Sequence, residues 1–360
     1  MPANNTIEGQ KPRRKRILPL QALRPCFSIP IVVHHATGDD IFQCIGSCGV
    51  AFFFILSGFV LSLGYGKKID AGTYSTKAFY MRQLSKVYPM HLAMMLIFLV
   101  LNMRLGVFAS ADQLITNTLL LQSWIPDRAI HFALNSPSWF LCAILFCYLS
   151  FKTLYNIIYR MKESSLIAMT LIVIAFYPII ALVIPHHLSN EILFINPLFR
   201  LLDFSLGIIV YRLYCSRRTE GLKQWCSSAS ILKVGMLEAL PFIMLAILNT
   251  FYLSMPFGLQ HAWPYWFIIP LLLIIFVATD ERPGFLGRLL HTRPMVWLGG
   301  ISFEIYITHM FTIRMVQSVL PMLSVPVQVC VIVPCVILVA YLVQRFIVNP
   351  CFALAQRTIL

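Results

Sequence analysis

The stretch Pro19–Asp40, PLQALRPCFSIPIVVHHATGDD, places one arginine and two histidines inside an otherwise apolar run. On a helix, Arg24 and His35 would point the same way and stand about 16 Å apart along the axis. His34 would face elsewhere. Charged and titratable side chains are costly in a bilayer and usually face a bundle interior or a water-filled cavity. We therefore predict that this stretch is a membrane helix and that Arg24 and His35 are functional.

The composition decides the class of protein. Of the 360 residues, 59% are hydrophobic and only 12% are charged, and the mean hydropathy is +0.78. A soluble domain of this size is far less apolar. The net charge of +14 comes from lysines and arginines in short segments between apolar runs, which is typical of orientation in a membrane and not of nucleic-acid binding. The sequence predicts an all-α, polytopic membrane protein embedded in the lipid bilayer.

Apolar runs of about 20 residues are long enough to cross a bilayer, and there are about ten of them. They lie at 18–37, 44–66, 89–109, 139–159, 165–185, 197–214, 231–253, 263–280, 295–315 and 326–348. Basic clusters fall in alternate connections, at the N-terminus, at Lys67, Lys68, Lys77, Arg82 and Lys86, at Arg160 and Lys162, at Arg217, Arg218 and Lys223, and at Arg282, Arg288 and Arg293. The opposite connections, including the long segment Ser110–Ser138, carry few basic residues. By the positive-inside rule both termini are predicted to be cytoplasmic.

Between the second and third runs, Tyr74–Pro89 alternates basic with apolar residues. One interpretation is an interfacial helix held by anionic lipid headgroups. The other is that Arg82 and Lys86, at helical spacing on one face, join Arg24 in a cytoplasmic cationic mouth suited to phosphate groups, as on coenzyme A. The sequence leaves both interpretations open. Trp124 and Trp139 are predicted to be anchors at the membrane interface.

Two further runs carry polar residues on one helical face. Arg200 and Asp203 share a face of the sixth run, either as an internal ion pair that fixes helix packing or as part of a polar cavity. Ser302, Tyr306 and His309 share a face of the ninth run, which is typical of a cavity lining.

Two acidic residues follow His35. Asp39 lies one turn onward and Asp40 completes an H-x4-D pattern. A carboxylate that holds the imidazole in one tautomer makes the other ring nitrogen a better general base for a hydroxyl group. The alternative interpretation, of equal weight, is that Asp39 and Asp40 are simply solvated loop residues. No paired Cys/His spacing suggests a metal site, so no metal is predicted.

The chain resembles the integral membrane acyltransferases of the acyltransferase 3 family, which modify bacterial surface sugars and related acceptors. Six features carry the resemblance, in family order: Arg24 with His35, GVAFFFILSGFVLS at Gly49–Ser62, KVYPMH at Lys86–His91, SWFL at Ser138–Leu141, NPLFRLLDFSLGI at Asn196–Ile208, and LGGISFEIYITHM at Leu298–Met310. Two departures stand out. The family's R-R-x-x-R run appears as Arg82, Gln83 and Lys86, and Asn349 stands where an acidic residue often precedes proline.

The resemblance implies transfer of an acyl group, most often acetyl, from cytoplasmic acyl-CoA to a hydroxyl of a glycan or lipid-linked saccharide. His35 would be the general base, supported by Asp39 or Asp40, or else a nucleophile that carries the acyl group. Arg24, Arg82 and Lys86 would bind the donor. Acyl-CoA would be a co-substrate, with no cofactor bound.

In the same way, Ser302, Tyr306 and His309, with Arg200 and Asp203, would line the acceptor cavity. The expected location is the bacterial inner membrane. Residues 1–17 would form a basic cytoplasmic tail, residues 18–350 the membrane domain and residues 351–360 a short cytoplasmic tail. We expect no fused esterase-like domain of the kind found in longer family members, so the membrane domain would complete the transfer or pass the group to a separate periplasmic partner.

Two other functions compete with this one. A transporter or flippase for a sugar-linked lipid would also use about ten helices with buried ions and a central histidine. A structural or sensory membrane protein would account for the spans but not for the spacing of Arg24 and His35.

Overall fold

The computed structural model describes residues 17–38 and 43–359, and all regular structure within them is helical. The α-helices are α1 (Leu18–Thr37), α2 (Gln43–Asp70), α3 (Thr76–Arg104), α4 (Ala111–Thr118), α5 (Arg128–His131), α6 (Trp139–Arg160), α7 (Glu163–Val183), α8 (Pro197–Tyr214), α9 (Arg217–Ser228), α10 (Ile231–Phe251), α11 (Tyr265–Ala278), α12 (Phe285–Leu290), α13 (Arg293–Gly300), α14 (Ser302–Val319), α15 (Val325–Val343) and α16 (Asn349–Ile359). Short 3₁₀ turns occur in the connections, and π-helical turns occur at Asn190–Ile195 and Gln344–Val348. The prediction of an all-α protein is confirmed for these residues.

Within the described residues, 7 helices are long and apolar enough to cross a membrane, or up to 9 when each bent pair counts as one span. The bent pairs are His186–Ile195 with α8, at 45°, and α13 with α14, at 66°. Every predicted span except the first coincides with one of these helices or pairs. The first, α1, is helical as predicted but does not pass the same test, because it carries Gln21, Arg24 and two histidines.

The polar helix α1 is instead surrounded by other helices. It contacts α2, α11, α12, α13, α14 and α15. Its apolar side chains, such as Leu23, Phe27 and Ile31, are almost fully buried. It ends at Gly38, whose φ of 65° is a left-handed conformation that glycine adopts without strain and whose N–H donates to the His34 carbonyl at 2.9 Å. The helix therefore packs among six others, and its Arg24 and His35 side chains each line a cavity.

Helices α2 and α8 cross at very short range. A Cβ atom on Gly58 would collide with the Phe204 carbonyl oxygen, and one on Gly207 would collide with the Ile55 carbonyl oxygen. Small residues of this kind let helix backbones approach closely in membranes. The crossing fixes α2, which lines both cavities described below.

The segment Tyr74–Pro89 is not a separate interfacial helix. Helix α3 begins at Thr76 and continues through Pro89 to Arg104. Because Pro89 lies well inside this helix, Arg82 and Lys86 belong to the first turns of a long membrane helix. The cation of Lys86 also lies 5.5 Å from the centre of the Phe352 ring, which ties α3 to α16.

Candidate active site

A large cationic cavity lies at the N-terminal end of α1 and the C-terminal end of α2. It has a volume of about 1410 Å³. Its cations come from three helices, with Arg24 on α1, Lys67 and Lys68 on α2, and Arg82 and Lys86 on α3. No acidic side chain of the described residues is among those that line it. The three predicted donor residues thus meet in one cavity, joined by two lysines at the end of α2.

Arg24 enters this cavity from α1 beside uncharged polar groups. Ser57 of α2 and Tyr148 of α6 line the cavity with it. The Glu304 carboxylate, which is buried, interacts electrostatically with Arg24. Arg24 therefore has a carboxylate nearby, in addition to the other four cations of the cavity.

A second, smaller cavity lies at the opposite ends of α1 and α2. It has a volume of about 190 Å³, room for about six water molecules at about 30 Å³ each. His35 opens onto it from α1, Ser47 from α2, and Tyr306 and His309 from α14. Part of the wall comes from the outer segment between α5 and α6, through Phe132, Ser136 and Pro137. The two cavities have no lining residue in common.

The orientation of two imidazoles is set by backbone carbonyls. His35 Nδ1 lies 2.9 Å from the Ile31 carbonyl oxygen, and His309 Nδ1 hydrogen-bonds to the Tyr306 carbonyl. A carbonyl oxygen can only accept, so each Nδ1 carries the proton and each Nε2 of the neutral ring keeps a lone pair. The two ring centres are 4.9 Å apart. The cavity thus contains two adjacent nitrogen bases, and His309 Nε2 has no hydrogen-bond partner among the described residues.

Aromatic rings lie between the two cavities. On α2, Val50 lines the small cavity and Ser57 lines the large one, so Phe53 lies about one helical turn from each. The Phe53 ring centre is 6.4 Å from those of Phe140 and Tyr306, and the latter two are 5.1 Å apart. These three rings, which we call the aromatic partition, form a cluster that reaches from α2 to Tyr306 of the small cavity.

The structure does not bring all the predicted residues to the small cavity. Ser302 is buried at the bend between α13 and α14, where its hydroxyl donates to the Gly299 carbonyl at 3.0 Å, and it does not line the cavity. Ser302 shares a helical face with Tyr306, but it is the first residue of α14. This position at the bend keeps it out of the cavity lining. Asp39 and Asp40 lie outside the described residues. The Ile31 carbonyl supplies the tautomer control that the H-x4-D pattern suggested for a carboxylate.

Arg200 and Asp203 form a fully buried ion pair on α8, with 2.8 Å between Nη1 and Oδ2. Arg200 also donates to the Leu193 carbonyl at 2.9 Å, and the Trp266 indole N–H donates to Asp203 at 2.5 Å. Neither residue lines the small cavity. The ion pair joins α8 to α11 and to the turn before α8. Of the two interpretations of this pair, the structure therefore agrees with the internal ion pair that fixes helix packing, and not with the lining of a polar cavity.

Several cavity residues were missed by sequence reasoning. His34, predicted to face elsewhere, lines the small cavity beside His35, so that prediction is wrong. Trp139, predicted to be an interface anchor, is 5% exposed and lines the small cavity, so that prediction is wrong. His261, in the turn Phe257–His261, also lines it and is 3% exposed. No local pattern marks these residues, because only the packing of α6, α11 and α14 turns them inward.

The chemistry available at this site is acid–base chemistry at His35. No group of three or more His, Cys, Asp or Glu side chains in the described part of the chain is arranged to hold a metal ion. The structure thus has a large cavity lined by five cationic side chains and a small cavity in which the imidazoles of His35 and His309 are adjacent.

Comparison with known proteins agrees with this arrangement. Residues 22–345 match the sequence model of the acyltransferase 3 family, described as an acyltransferase domain. The chain is 28% identical over 338 residues to acyltransferase MdmB of Streptomyces mycarofaciens, covering 84% of this chain and 80% of that protein. No solved structure matches the chain. Because the family match extends over nearly all of the helical domain, the protein is a member of the acyltransferase 3 family.

Proposed function

We propose that this protein transfers an acyl group, in the first place acetyl, from cytoplasmic acyl-CoA to a hydroxyl group of a glycan or lipid-linked saccharide. The observation that carries the proposal is that one internal helix presents Arg24 to a large cationic cavity and His35 to a small cavity beyond it. We place the protein in the bacterial inner membrane with α1 as a tenth, internal span and both termini cytoplasmic. This orientation puts the cationic cavity on the cytoplasmic side.

The cationic cavity suits the donor. Phosphate groups form charge-assisted hydrogen bonds with Arg and Lys, and five such side chains line this cavity. Its volume of about 1410 Å³ exceeds the roughly 300–1,000 Å³ of common ligand pockets, which fits a ligand as large as acyl-CoA. Arg24 and His35 are about 16 Å apart along α1, a distance suited to the extended pantetheine arm.

His35 acts as the general base in this proposal. Its Nε2 removes the proton of the acceptor hydroxyl while that oxygen attacks the thioester carbonyl carbon. The carbon–sulfur bond then breaks, the ester bond remains, and the proton passes from His35 to the coenzyme A thiolate. In the covalent alternative, the same Nε2 attacks the thioester carbonyl carbon, and the carbon–sulfur bond breaks to release coenzyme A as its thiolate. The acceptor hydroxyl then attacks the acyl carbon, the carbon–nitrogen bond breaks, and the hydroxyl proton passes to the thiolate.

The test uses membrane vesicles of known orientation. Radiolabelled acetyl-CoA is supplied on the cytoplasmic side, and label bound to glycan is measured for wild type, His35→Ala and His187→Ala. His187 is an exposed histidine outside both cavities and serves as the matched control. We expect His35→Ala, inserted at the wild-type level, to lose about 100-fold or more of the transfer rate, the usual contribution of a general base, and His187→Ala to keep it.

The donor side is tested in the same vesicles. We expect Arg24→Gln to raise the KM for acetyl-CoA about 10- to 100-fold, since a hydrogen bond to a charged group contributes about 1.5–3 kcal/mol. Added salt should raise the wild-type KM as well, because it screens the cationic cavity. Equal labelling by wild type and His35→Ala would overturn the role of His35. Movement of an unmodified lipid-linked sugar with no acetyl labelling at all would favour the transporter.

A further inference from the structure

His261 is an unusual buried side chain. It is 3% exposed, and neither of its ring nitrogens has a hydrogen-bond partner in the part of the chain that the structure describes. It also lines the small cavity together with His35 and His309. Burying a polar group without a partner costs about 1–3 kcal/mol, so such a group in a cavity indicates a ligand that completes its hydrogen bonds.

Packing fixes the His261 ring from two sides. Its centre lies 5.2 Å from the Phe194 ring and 4.6 Å from the Phe257 ring, the latter edge to face at 87°. Behind Phe194, the Arg200 guanidinium lies 5.3 Å from the same ring. The buried Arg200–Asp203 pair therefore supports the wall that holds His261, although it does not line the cavity itself.

His261 differs chemically from His35 and His309, which line the same cavity. His35 and His309 each use an N–H on a backbone carbonyl and present only a lone pair. A neutral His261 offers one N–H donor and one lone pair, because neither nitrogen is bonded to the described residues. A hydroxyl group can bond either of these nitrogens, as a donor to the lone pair or as an acceptor from the N–H, whereas a carbonyl or an ether oxygen could bond only the N–H.

The remaining wall suits a sugar. Phe132, Trp139, Phe194 and Phe257 supply aromatic surface, while Gln43, Ser47, Ser136 and Asn190 supply hydrogen-bonding groups. A mostly apolar cavity with a few convergent polar groups is typical of a ligand site. With a volume of about 190 Å³, the cavity admits the reacting end of an acceptor and not a whole glycan.

We propose that His261 binds a second hydroxyl group of the acceptor, the one next to the hydroxyl that His35 deprotonates. The acceptor is thus a sugar with neighbouring hydroxyl groups, and His261 is a specificity-determining residue for it. This inference rests on the proposed acyl transfer and adds to it the way in which the sugar is held.

The experiment uses the full chain in lipid nanodiscs with acetyl-CoA. The probes are the methyl glycosides of glucose, galactose, mannose and rhamnose, and mass spectrometry identifies the acetylated product. The best probe is then compared with its deoxy derivatives at the positions beside the acetylated hydroxyl, for wild type, His261→Phe, His261→Gln and His187→Ala. Binding of acetyl-CoA is measured for each variant to show that it is folded.

We expect His261→Phe to raise the acceptor KM about tenfold, the effect of one lost hydrogen bond, with the KM for acetyl-CoA unchanged. Wild type should lose about the same factor on one deoxy derivative, and His261→Phe should lose nothing further on it. His261→Gln, which can both donate and accept, should recover part of the loss. His187→Ala should behave as wild type.

Three results would overturn the inference. One is an unchanged acceptor KM for His261→Phe, as expected if only a water molecule bonds to this ring. Another is that the loss caused by His261→Phe and the loss caused by the deoxy derivative multiply when the two are combined. His261 and the neighbouring hydroxyl would then act independently. The third is hydrolysis of acetyl-CoA with no sugar acetylated, which would exclude a sugar at His261. A wild-type protein that neither binds nor consumes acetyl-CoA would instead contradict the proposed function itself.

Discussion

At the scale of single residues, His35, the base that we propose, is oriented by the backbone of its own helix. The Ile31 carbonyl fixes the Nδ1 proton of His35 from one turn earlier in α1. Catalytic histidines of many hydrolases are oriented by a carboxylate, which also stabilises the imidazolium. In this protein the neutral Ile31 carbonyl, and not a carboxylate, orients the His35 ring.

This geometry makes Asp39 and Asp40 dispensable for tautomer control. We expect Asp39→Asn and Asp40→Asn, each alone, to leave kcat close to wild type in the acetyl-transfer assay. Loss of a carboxylate that orients a catalytic histidine costs about 10⁴-fold in serine proteases. A fall of that order in either variant would show that a carboxylate, and not the Ile31 carbonyl, positions the ring.

At the scale of elements, the crossing of α2 and α8 holds the site together. Helix α2 lines both cavities, and α8 carries the ion pair that supports the His261 wall. The crossing depends on contact between backbones at Gly58 and Gly207. A methyl group at this point would separate the two helices and move Phe53, Ser57 and Val50 together.

We therefore expect Gly207→Ala to destabilise the protein by about 1–3 kcal/mol, as overpacking of a tight contact does. The measurement is the fraction of protein that remains monodisperse in detergent after heating across a range of temperatures. Gly221→Ala is the matched control, because a Cβ there meets nothing within 4 Å on the helix α9. Alanine at that exposed helical position should be neutral or stabilising. Equal melting of both variants would contradict a tight crossing.

At the scale of the whole molecule, the apolar runs predicted the helices well. The hydrophobic length needed to cross a bilayer is a local property of the chain, so the sequence alone locates the spans. The meeting of Arg24, Arg82 and Lys86 could also be predicted, because the basic residues lie in connections expected on one side of the membrane.

The lining of the small cavity could not be predicted in the same way. Which residues line it depends on how distant helices pack, and helical periodicity gives a face without naming what lies opposite. Ser302 shares the predicted face but lies at the bend of α14, while Trp139 and His261 carry no local sign of their position. In the same way, the composition of the polar helix α1 does not predict that it packs against six other helices.

The separation of the two cavities has a consequence for the reaction as a whole. In the proposed reaction, we expect the thioester to pass the aromatic partition of Phe53, Phe140 and Tyr306 on its way from the cationic cavity to His35. Closed sites protect reactive groups from water. The partition is therefore expected to keep acyl-CoA from hydrolysis when no acceptor occupies the small cavity.

We expect Phe53→Ala to raise the rate of acetyl-CoA hydrolysis in the absence of acceptor and to lower the ratio of transfer to hydrolysis. Free coenzyme A is measured with a thiol reagent, and acetylated acceptor by mass spectrometry. Phe176→Ala, at a side chain that is 57% exposed on α7, is the control for simple loss of a phenyl ring. Phe53→Leu, which keeps more of the packing, should give an intermediate ratio. Unchanged hydrolysis in Phe53→Ala would mean that these rings do not limit the access of water to the thioester.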